Sequence, residues 1–304
     1  MKKRTQNIFS ILLVFALMLC TLPATKADAA STLTGGYTSK TNAYNWGSYV
    51  ANRSITMSMP EDEDEEWFKF TLSGDSKIYI RCSYQSKMEG CTLALYPATG
   101  SRPLQTVDSL WDVYGADTLT PFMALNCDST TSQTQTYYIR FMRGDATGQL
   151  YYTFTMYDRI KRGHGTFNLK GTATNSGNPG ASTDGHDLSI NLTNNTTIPP
   201  EAIVYHISSK GTMSPSQGNV HHKLMPASEG RWFTALAANA SNGSFGISPS
   251  DDIPVKQQWQ FCYNVLSPAS STMKNVSLVI DWQYDLANTN YELNFPTHAN
   301  GVIV

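Results

Sequence analysis

The fold class can be read from residues 67–72, which have the sequence Trp-Phe-Lys-Phe-Thr-Leu. Large apolar side chains occupy every second position, at Phe68, Phe70 and Leu72, and Lys69 stands between two of them. Successive side chains of a β-strand point to opposite faces of the sheet. The alternation therefore predicts a strand with one face in a core.

The same period of two recurs along the rest of the chain. Short alternating segments separated by clusters of Gly, Pro, Asn, Asp and Ser are typical of sandwiches and jelly rolls. Beyond residue 165, strands are predicted at 166–169, 188–192, 202–207, 231–236, 257–265 and 276–284. The sequence predicts an all-β protein with two β-sandwich domains, of jelly-roll or immunoglobulin-like type, at 36–158 and 165–304. A short basic stretch at 159–164 is predicted to link them.

The first 29 residues have the three parts of a secretory signal in the expected order. A basic tip at Lys2, Lys3 and Arg4 precedes an apolar run at 8–22, and small residues follow up to Ala29. The apolar run is about 14 residues long, whereas a helix needs roughly 20 to cross a bilayer. We therefore expect cleavage after Ala29, secretion, and a mature chain that is at most loosely associated with the cell surface and has no membrane anchor.

The composition argues against nucleic acid as a partner. The chain has 304 residues with a net charge of −2, and loss of residues 1–29 removes four positive charges and one negative charge. The mature protein is thus mildly acidic, whereas nucleic-acid binding requires a basic face. An aromatic content of 11% with 16 tyrosines fits the pleated surface of sheets.

Four of the five cysteines lie in the mature chain, where an oxidising environment permits disulfides. A hairpin about residues 86–87 would place Cys82 opposite Cys91, and a disulfide there would add about 2 to 3 kcal/mol. The alternative is a pair of buried thiols. Cys127 and Cys262 fall in different predicted domains, and the sequence leaves open whether they pair.

Five segments of the N-terminal half carry a likeness to a known family, at residues 61–72, 77–80, 93–97, 136–141 and 151–156. Through them this half resembles the bacterial pre-peptidase C-terminal domain, a small secreted β-sandwich often appended to extracellular proteases and other hydrolases. The segment departs from the family in its longer stretch at 109–117 and in its cysteines, and no protease domain precedes it. The likeness covers under half of the chain.

An acidic run at residues 61–66 is the densest charge feature of the chain. Carboxylates before a strand are suitable ligands for Ca²⁺, which takes six to eight oxygens. Calcium binding near such edges is also what the family resemblance implies. The sequence thus offers Asp62, Asp64 and Glu66 as calcium ligands, with a solvated turn as the alternative.

Three aromatic residues outside the alternating pattern are candidates for binding a ligand. Trp111 and Tyr114 stand in a long loop, and Trp46 lies near the mature N-terminus. Flat rings at the rim of a sandwich stack well on sugars. The alternative is that such a ring closes the end of the core.

The sequence contains no Gly-x-Ser-x-Gly, no His-Glu-x-x-His and no cysteine beside a histidine-bearing segment, which are local signatures of catalytic sites. His164 and His206 have no partner nearby in the sequence. We therefore expect a secreted, non-catalytic protein that binds an extracellular matrix, glycan or protein surface. A structural component of the envelope or biofilm, and an enzyme or enzyme-associated inhibitor, are the alternatives.

Overall fold

The structure is a computed structural model that describes residues 32–177, 183–184, 186–218, 220–237, 242–265 and 267–291. The predicted signal peptide lies outside the described residues. Within them, strands dominate and the helices are short 3-10 turns at Lys40–Asn42, Ser86–Met88, Pro249–Asp251 and Leu286–Thr289. The all-β prediction is confirmed. No helix in the described part of the chain is long and apolar enough to span a membrane.

The first eleven strands form two facing sheets. They are β1 (Thr32–Thr34), β2 (Tyr44–Ser48), β3 (Ser54–Met59), β4 (Glu65–Leu72), β5 (Lys77–Ser83), β6 (Thr92–Pro97), β7 (Gln105–Asp108), β8 (Val113–Tyr114), β9 (Phe122–Asp128), β10 (Gln135–Met142) and β11 (Leu150–Asp158). One sheet has the order β1-β3-β11-β5-β9-β8 and the other β2-β4-β10-β6-β7. We call this unit the N-terminal sandwich.

The core of the N-terminal sandwich is formed by the inward side chains of both sheets. Phe68 and Phe70 of β4 are fully buried, as the alternation predicts, and Phe68 packs edge-on against Phe154 of β11 at 5.0 Å between ring centroids. Each such side chain contributes about 1.5–3 kcal/mol through burial. The β-sandwich that the family resemblance implies is present, while membership of that family stays a prediction.

The remaining strands form a second pair of sheets, the C-terminal sandwich. They are β12 (Ile160–Asn168), β13 (Ala173–Asn175), β14 (Thr183–Asp184), β15 (Leu188–Asn191), β16 (Ile203–Ser214), β17 (Val220–Pro226), β18 (Phe233–Ala237), β19 (Asn242–Ser244), β20 (Gln258–Val265) and β21 (Ser271–Asp285). One sheet has the order β12-β21-β16-β19, with β13 also on β21. The other has the order β14-β20-β17-β18, with β15 on β20. Trp259, Phe261 and Tyr263 of β20 all lie in its core.

The basic stretch at 159–164 is not a linker, because β12 starts at Ile160 and pairs along its whole length with β21. Arg159 alone separates β11 from β12. Its guanidinium forms ion pairs with Asp128 of β9 and Asp285 of β21. The two sandwiches therefore meet without a spacer, and the exact domain boundaries stay a prediction.

An aromatic cluster covers the same junction. Tyr291, beyond β21, packs against Tyr79 of β5 at 4.7 Å and against Tyr114 of β8 at 4.9 Å between ring centroids. Leu286, in the last 3-10 turn, is fully buried in the same cluster. The end of the described chain thus packs against the outer face of the N-terminal sandwich.

The predicted hairpin between Cys82 and Cys91 is wrong. Cys82 on β5 stands opposite Met123 of β9 and Phe154 of β11, whereas β6, which follows Cys91, belongs to the other sheet. The chain crosses the sandwich at this point through the 3-10 turn Ser86–Met88, whose Met88 is buried in the core. Both cysteines are free, buried thiols in the structure, and the disulfide stays a prediction.

Candidate functional site

A polar and aromatic row crosses the outer face of the sheet β2-β4-β10-β6-β7. The strand register places Asn45 of β2 opposite Lys69 of β4, Lys69 opposite Tyr138 of β10, and Tyr138 opposite Tyr96 of β6. Residues directly opposite each other in a sheet share a face. Four strands thus contribute one side chain each to a continuous row.

A second row lies beside the first and supports it. Trp67 of β4 is opposite Arg140 of β10, and the Arg140 guanidinium lies 5.6 Å from the centre of the Trp67 ring. Glu65 accepts a hydrogen bond from Trp67 Nε1 at 3.1 Å and forms an ion pair with Arg140. Trp67 also packs on Tyr96, with 5.1 Å between ring centroids. These contacts hold Trp67 and Tyr96 in place beside the first row.

The 3-10 turn Lys40–Asn42 forms one wall above the row. Lys40 Nζ donates hydrogen bonds to the carbonyl oxygens of Pro97 at 2.9 Å and Gly100 at 3.0 Å. The same ammonium lies 5.0 Å from the centre of the Tyr138 ring. A cation over a ring face is attracted by the ring's quadrupole, so this wall is fixed in place.

An open groove of about 420 Å³ lies between the wall and the row. It is lined by Lys40, Thr41, Ala43, Asn45, Lys69, Ala98 and Tyr138. Among the described residues, no side chain forms a hydrogen bond or an ion pair with the Lys69 ammonium. This ammonium is therefore available to a ligand. The groove combines a flat ring, an amide, a hydroxyl and positive charge. These groups suit a polyhydroxylated ligand that carries negative charge.

The three aromatic residues predicted to bind a ligand are not brought together. Trp46 is 1% exposed and packs against Phe154 in the core, which corrects its expected place at the rim. Tyr114 is half-buried against Phe122 and Tyr291 at the junction. Trp111 remains exposed, at 83%. Of the three, Trp111 alone has the exposure that a stacking role requires.

The predicted calcium ligands also separate. Asp62 and Asp64 are exposed, whereas Glu66 is fully buried and accepts a hydrogen bond from the Tyr152 hydroxyl. Burial raises the pKa of Glu66 to about 7, and the hydrogen bond from Tyr152 opposes this rise. Alternation explains the difference, because Glu66 shares the inward phase of Phe68. Within the described ranges, no three His, Cys, Asp or Glu side chains are placed to hold a metal ion.

The other two cysteines lie in different sandwiches. Cys127 is a buried thiol on β9, and burial raises its pKa well above the usual range. Cys262 is buried on β20. The sequence could not decide whether they pair, and the structure places them in separate units.

The groove residues were not among the sequence-based candidates, although a signal for part of them exists. The phase that puts Phe68 and Phe70 in the core puts Trp67 and Lys69 on the outer face. The phase of β10 likewise puts Tyr138 outside. What the sequence could not supply is the strand order that places β4, β10 and β6 side by side.

Comparison with known proteins identifies one full-length relative. The chain is 35% identical over 281 residues to the uncharacterized protein YbdN of Bacillus subtilis (strain 168), and the alignment covers 90% of this chain and 97% of YbdN. No family model matches the chain.

Two solved structures show weaker likeness. The pre-peptidase C-terminal domain of a collagenase from Bacillus anthracis is 16% identical, with a TM-score of 0.28, over 38% of this chain and 93% of that domain. A protein from Eubacterium rectale is 10% identical, with a TM-score of 0.32, over 84% of this chain and 80% of that protein. Both TM-scores lie below 0.5, and likeness at this level assigns no function.

Proposed function

This chain belongs to the family of the Bacillus subtilis protein YbdN, and we propose that it is an extracellular binding protein whose N-terminal groove holds an acidic glycan. The observation that carries the proposal is the row formed by Asn45, Lys69 and Tyr138, which lines the groove with Asn45 exposed and the other two side chains partly exposed. The signal sequence at 1–29 supports an extracellular ligand.

The geometry favours a glycan over a protein surface. The groove has about 420 Å³ of space, and its lining is mostly polar. Standard protein interfaces bury about 800 Å² on each partner and are anchored by apolar contacts. A sugar instead needs an aromatic ring and a few hydrogen-bonding groups near it, and Tyr138, Asn45 and Thr41 line the groove together.

The charge of the groove selects an acidic ligand. Lys40 and Lys69 both line it, in a protein whose net charge is negative overall. Local positive charge steers anionic ligands to this face, and the attraction is screened by salt. Binding should therefore weaken as ionic strength rises.

Affinity gel electrophoresis with polygalacturonate as the acidic polymer and dextran as the neutral one tests this proposal. Polygalacturonate should slow the migration of the wild-type protein, and dextran should slow it less. Tyr138→Ala and Lys69→Gln should each lose most of the retardation, because one removes the ring and the other removes the free charge.

Tyr205→Ala is the matched control, because Tyr205 is a partly exposed tyrosine on the C-terminal sandwich. It should leave retardation unchanged. The proposal fails if polygalacturonate does not retard the wild type, or if Tyr138→Ala and Lys69→Gln are retarded as strongly as the wild type.

A further inference from the structure

The outer face of the sheet β12-β21-β16-β19, in the C-terminal sandwich, carries a second polar row. The groove lies on a different sheet, in the N-terminal sandwich. Asp281 of β21 stands between His164 of β12 and His206 of β16 in the strand register. Neither histidine has a partner nearby in the sequence. Pairing of three distant strands brings them to one carboxylate.

Two contacts place His206 between Ser244 and Asp281. His206 Nε2 lies 2.9 Å from Ser244 Oγ of β19, and His206 Nδ1 lies 3.4 Å from Asp281 Oδ2. The side chains of His206 and Asp281 are 45% and 44% exposed, and Ser244 is exposed as well. One imidazole thus joins a hydroxyl at one nitrogen and a carboxylate at the other, on a face open to solvent.

We propose that Ser244, His206 and Asp281 form a nucleophilic site that hydrolyses acyl esters. A serine-histidine-aspartate triad is recognised by the roles and geometry of its members and not by their order in the chain. Contacts in a ligand-free site are often looser than in the working complex, and a separation of 3.4 Å between His206 and Asp281 lies within that range.

The reaction balances with an ester and water as the two reactants. Ser244 Oγ attacks the ester carbonyl carbon, and its proton passes to His206 Nε2. The alcohol leaves with that proton, and an acyl group remains on Ser244. Water then attacks the acyl carbon, His206 again moves the proton, and a carboxylic acid and free Ser244 are released. Asp281 holds the ring orientation and stabilises the imidazolium throughout.

Groups that could stabilise the developing negative charge flank Ser244 on the side away from His206. Asn242 lies two residues before Ser244 on β19, on the same exposed face, and is opposite Lys210 of β16. Side-chain amides and ammonium groups near the reacting carbonyl oxygen lower the barrier to acyl transfer.

A cleft lined by both polar and apolar side chains lies farther along β21, beside Gln283. It has a volume of about 450 Å³, and Gln283 and Ile203 line it at the end nearest the triad. Gln283 stands two residues from Asp281 on β21, which is about 7 Å along a strand. Lys77, Glu201 and Asp252 line it farther on. An exposed site beside charged and amide side chains suits an O-acyl ester on a long polar chain better than a free lipid ester.

A serine-directed fluorophosphonate and 4-nitrophenyl acetate test this site on the full mature chain. The wild type should be labelled on Ser244, as located by peptide mass spectrometry. Ser244→Ala and His206→Gln should abolish labelling and reduce ester hydrolysis at least about 100-fold. Asp281→Asn should slow both labelling and ester hydrolysis without abolishing either.

His186→Ala is the matched control, because His186 is an exposed imidazole of the same sandwich that lies outside this row. It should keep labelling and hydrolysis, and thermal unfolding should confirm that every variant is folded. The proposal is overturned if Ser244 is not labelled in the wild type. It is equally overturned if His186→Ala lowers hydrolysis as much as His206→Gln, since the activity would then be that of surface imidazoles in general.

Discussion

Arg159 Nε lies 2.8 Å from Asp285 Oδ1, and Nη1 of the same guanidinium lies 2.6 Å from Asp128 Oδ1. The Arg159 side chain is 6% exposed. One buried arginine therefore joins a strand of the N-terminal sandwich to a strand of the C-terminal sandwich, at the residue where the chain passes between them.

Replacing this arginine should destabilise the whole molecule. Arg159→Ala leaves two carboxylates close together without their cation, and removal of one partner from a buried ion pair costs about 3–5 kcal/mol. Unfolding by guanidinium chloride should show a loss in the free energy of unfolding near the lower end of this range, because Asp128 is 44% exposed. Arg231→Ala, at an exposed arginine paired with Glu229, should change it by no more than about 0.5 kcal/mol. Equal effects of the two substitutions would contradict the assignment.

Stability should fall with rising pH because of Glu66. Its pKa is raised from 4.5 to about 7 in the folded protein, so the folded state holds a proton that the unfolded state releases. This contribution is complete below the unfolded pKa and is lost as pH rises through the folded value. Wild type should lose about 3 kcal/mol across this window.

Glu66→Gln should remove most of this pH dependence and raise the melting temperature at neutral pH. The amide keeps an acceptor for the Tyr152 hydroxyl but carries no charge into the core. Glu61→Gln, at an exposed position of the same acidic run, should retain the wild-type profile. A Glu66→Gln profile parallel to that of the wild type would show that another group titrates.

Two tryptophans that look alike in the sequence should respond in opposite ways. Trp46→Ala empties a core position and should cost about 3–5 kcal/mol in the free energy of unfolding. Trp111→Ala removes a ring that is 83% exposed and should cost no more than about 0.5 kcal/mol. Urea denaturation of both variants measures the difference. A large loss in Trp111→Ala would mean that the loop packs against the sandwich.

The thiols of the N-terminal sandwich should be unreactive in the reduced native protein. Burial raises the pKa of Cys82 well above its usual range and that of Cys91 to about 11, and the thiolate is the reactive form. Ellman's reagent should react with them only after unfolding. Fast reaction in the native state would contradict the burial. Absence of reaction at Cys82 and Cys91 after unfolding, in protein purified from the medium, would confirm the predicted disulfide.

Strands with a clear apolar period were predictable from the sequence. Trp259, Phe261 and Tyr263 of β20 occupy the inward positions that alternation assigns to them. The alternation in residues 67–72 also places Lys69 on the outer face, where it lines the groove. These features are local, because the direction of a side chain follows from the phase of its own strand.

The end of strand β12 is predicted at 166–169, but its first part, residues 160–164, is predicted as a linker for an identifiable reason. Two of its inward positions are Gly163 and Gly165, so the apolar period is absent over its first part. A Cβ at Gly163 would lie 2.7 Å from Trp282 Nε1 of β21. The Trp282 ring fills the space that side chains on β12 would occupy, and glycine is required because of a partner that lies far away in the sequence.

The sequence by itself determined the all-β class and the faces of the clearly alternating strands, because both depend on a period of two between neighbouring residues. Tertiary structure alone decided which faces meet. It placed Cys82 and the strand that follows Cys91 in opposite sheets, and it brought His206 between Ser244 and Asp281. Strand pairing is a contact between distant segments, and its free energy comes from matching whole faces of sheets, which no short stretch of sequence contains.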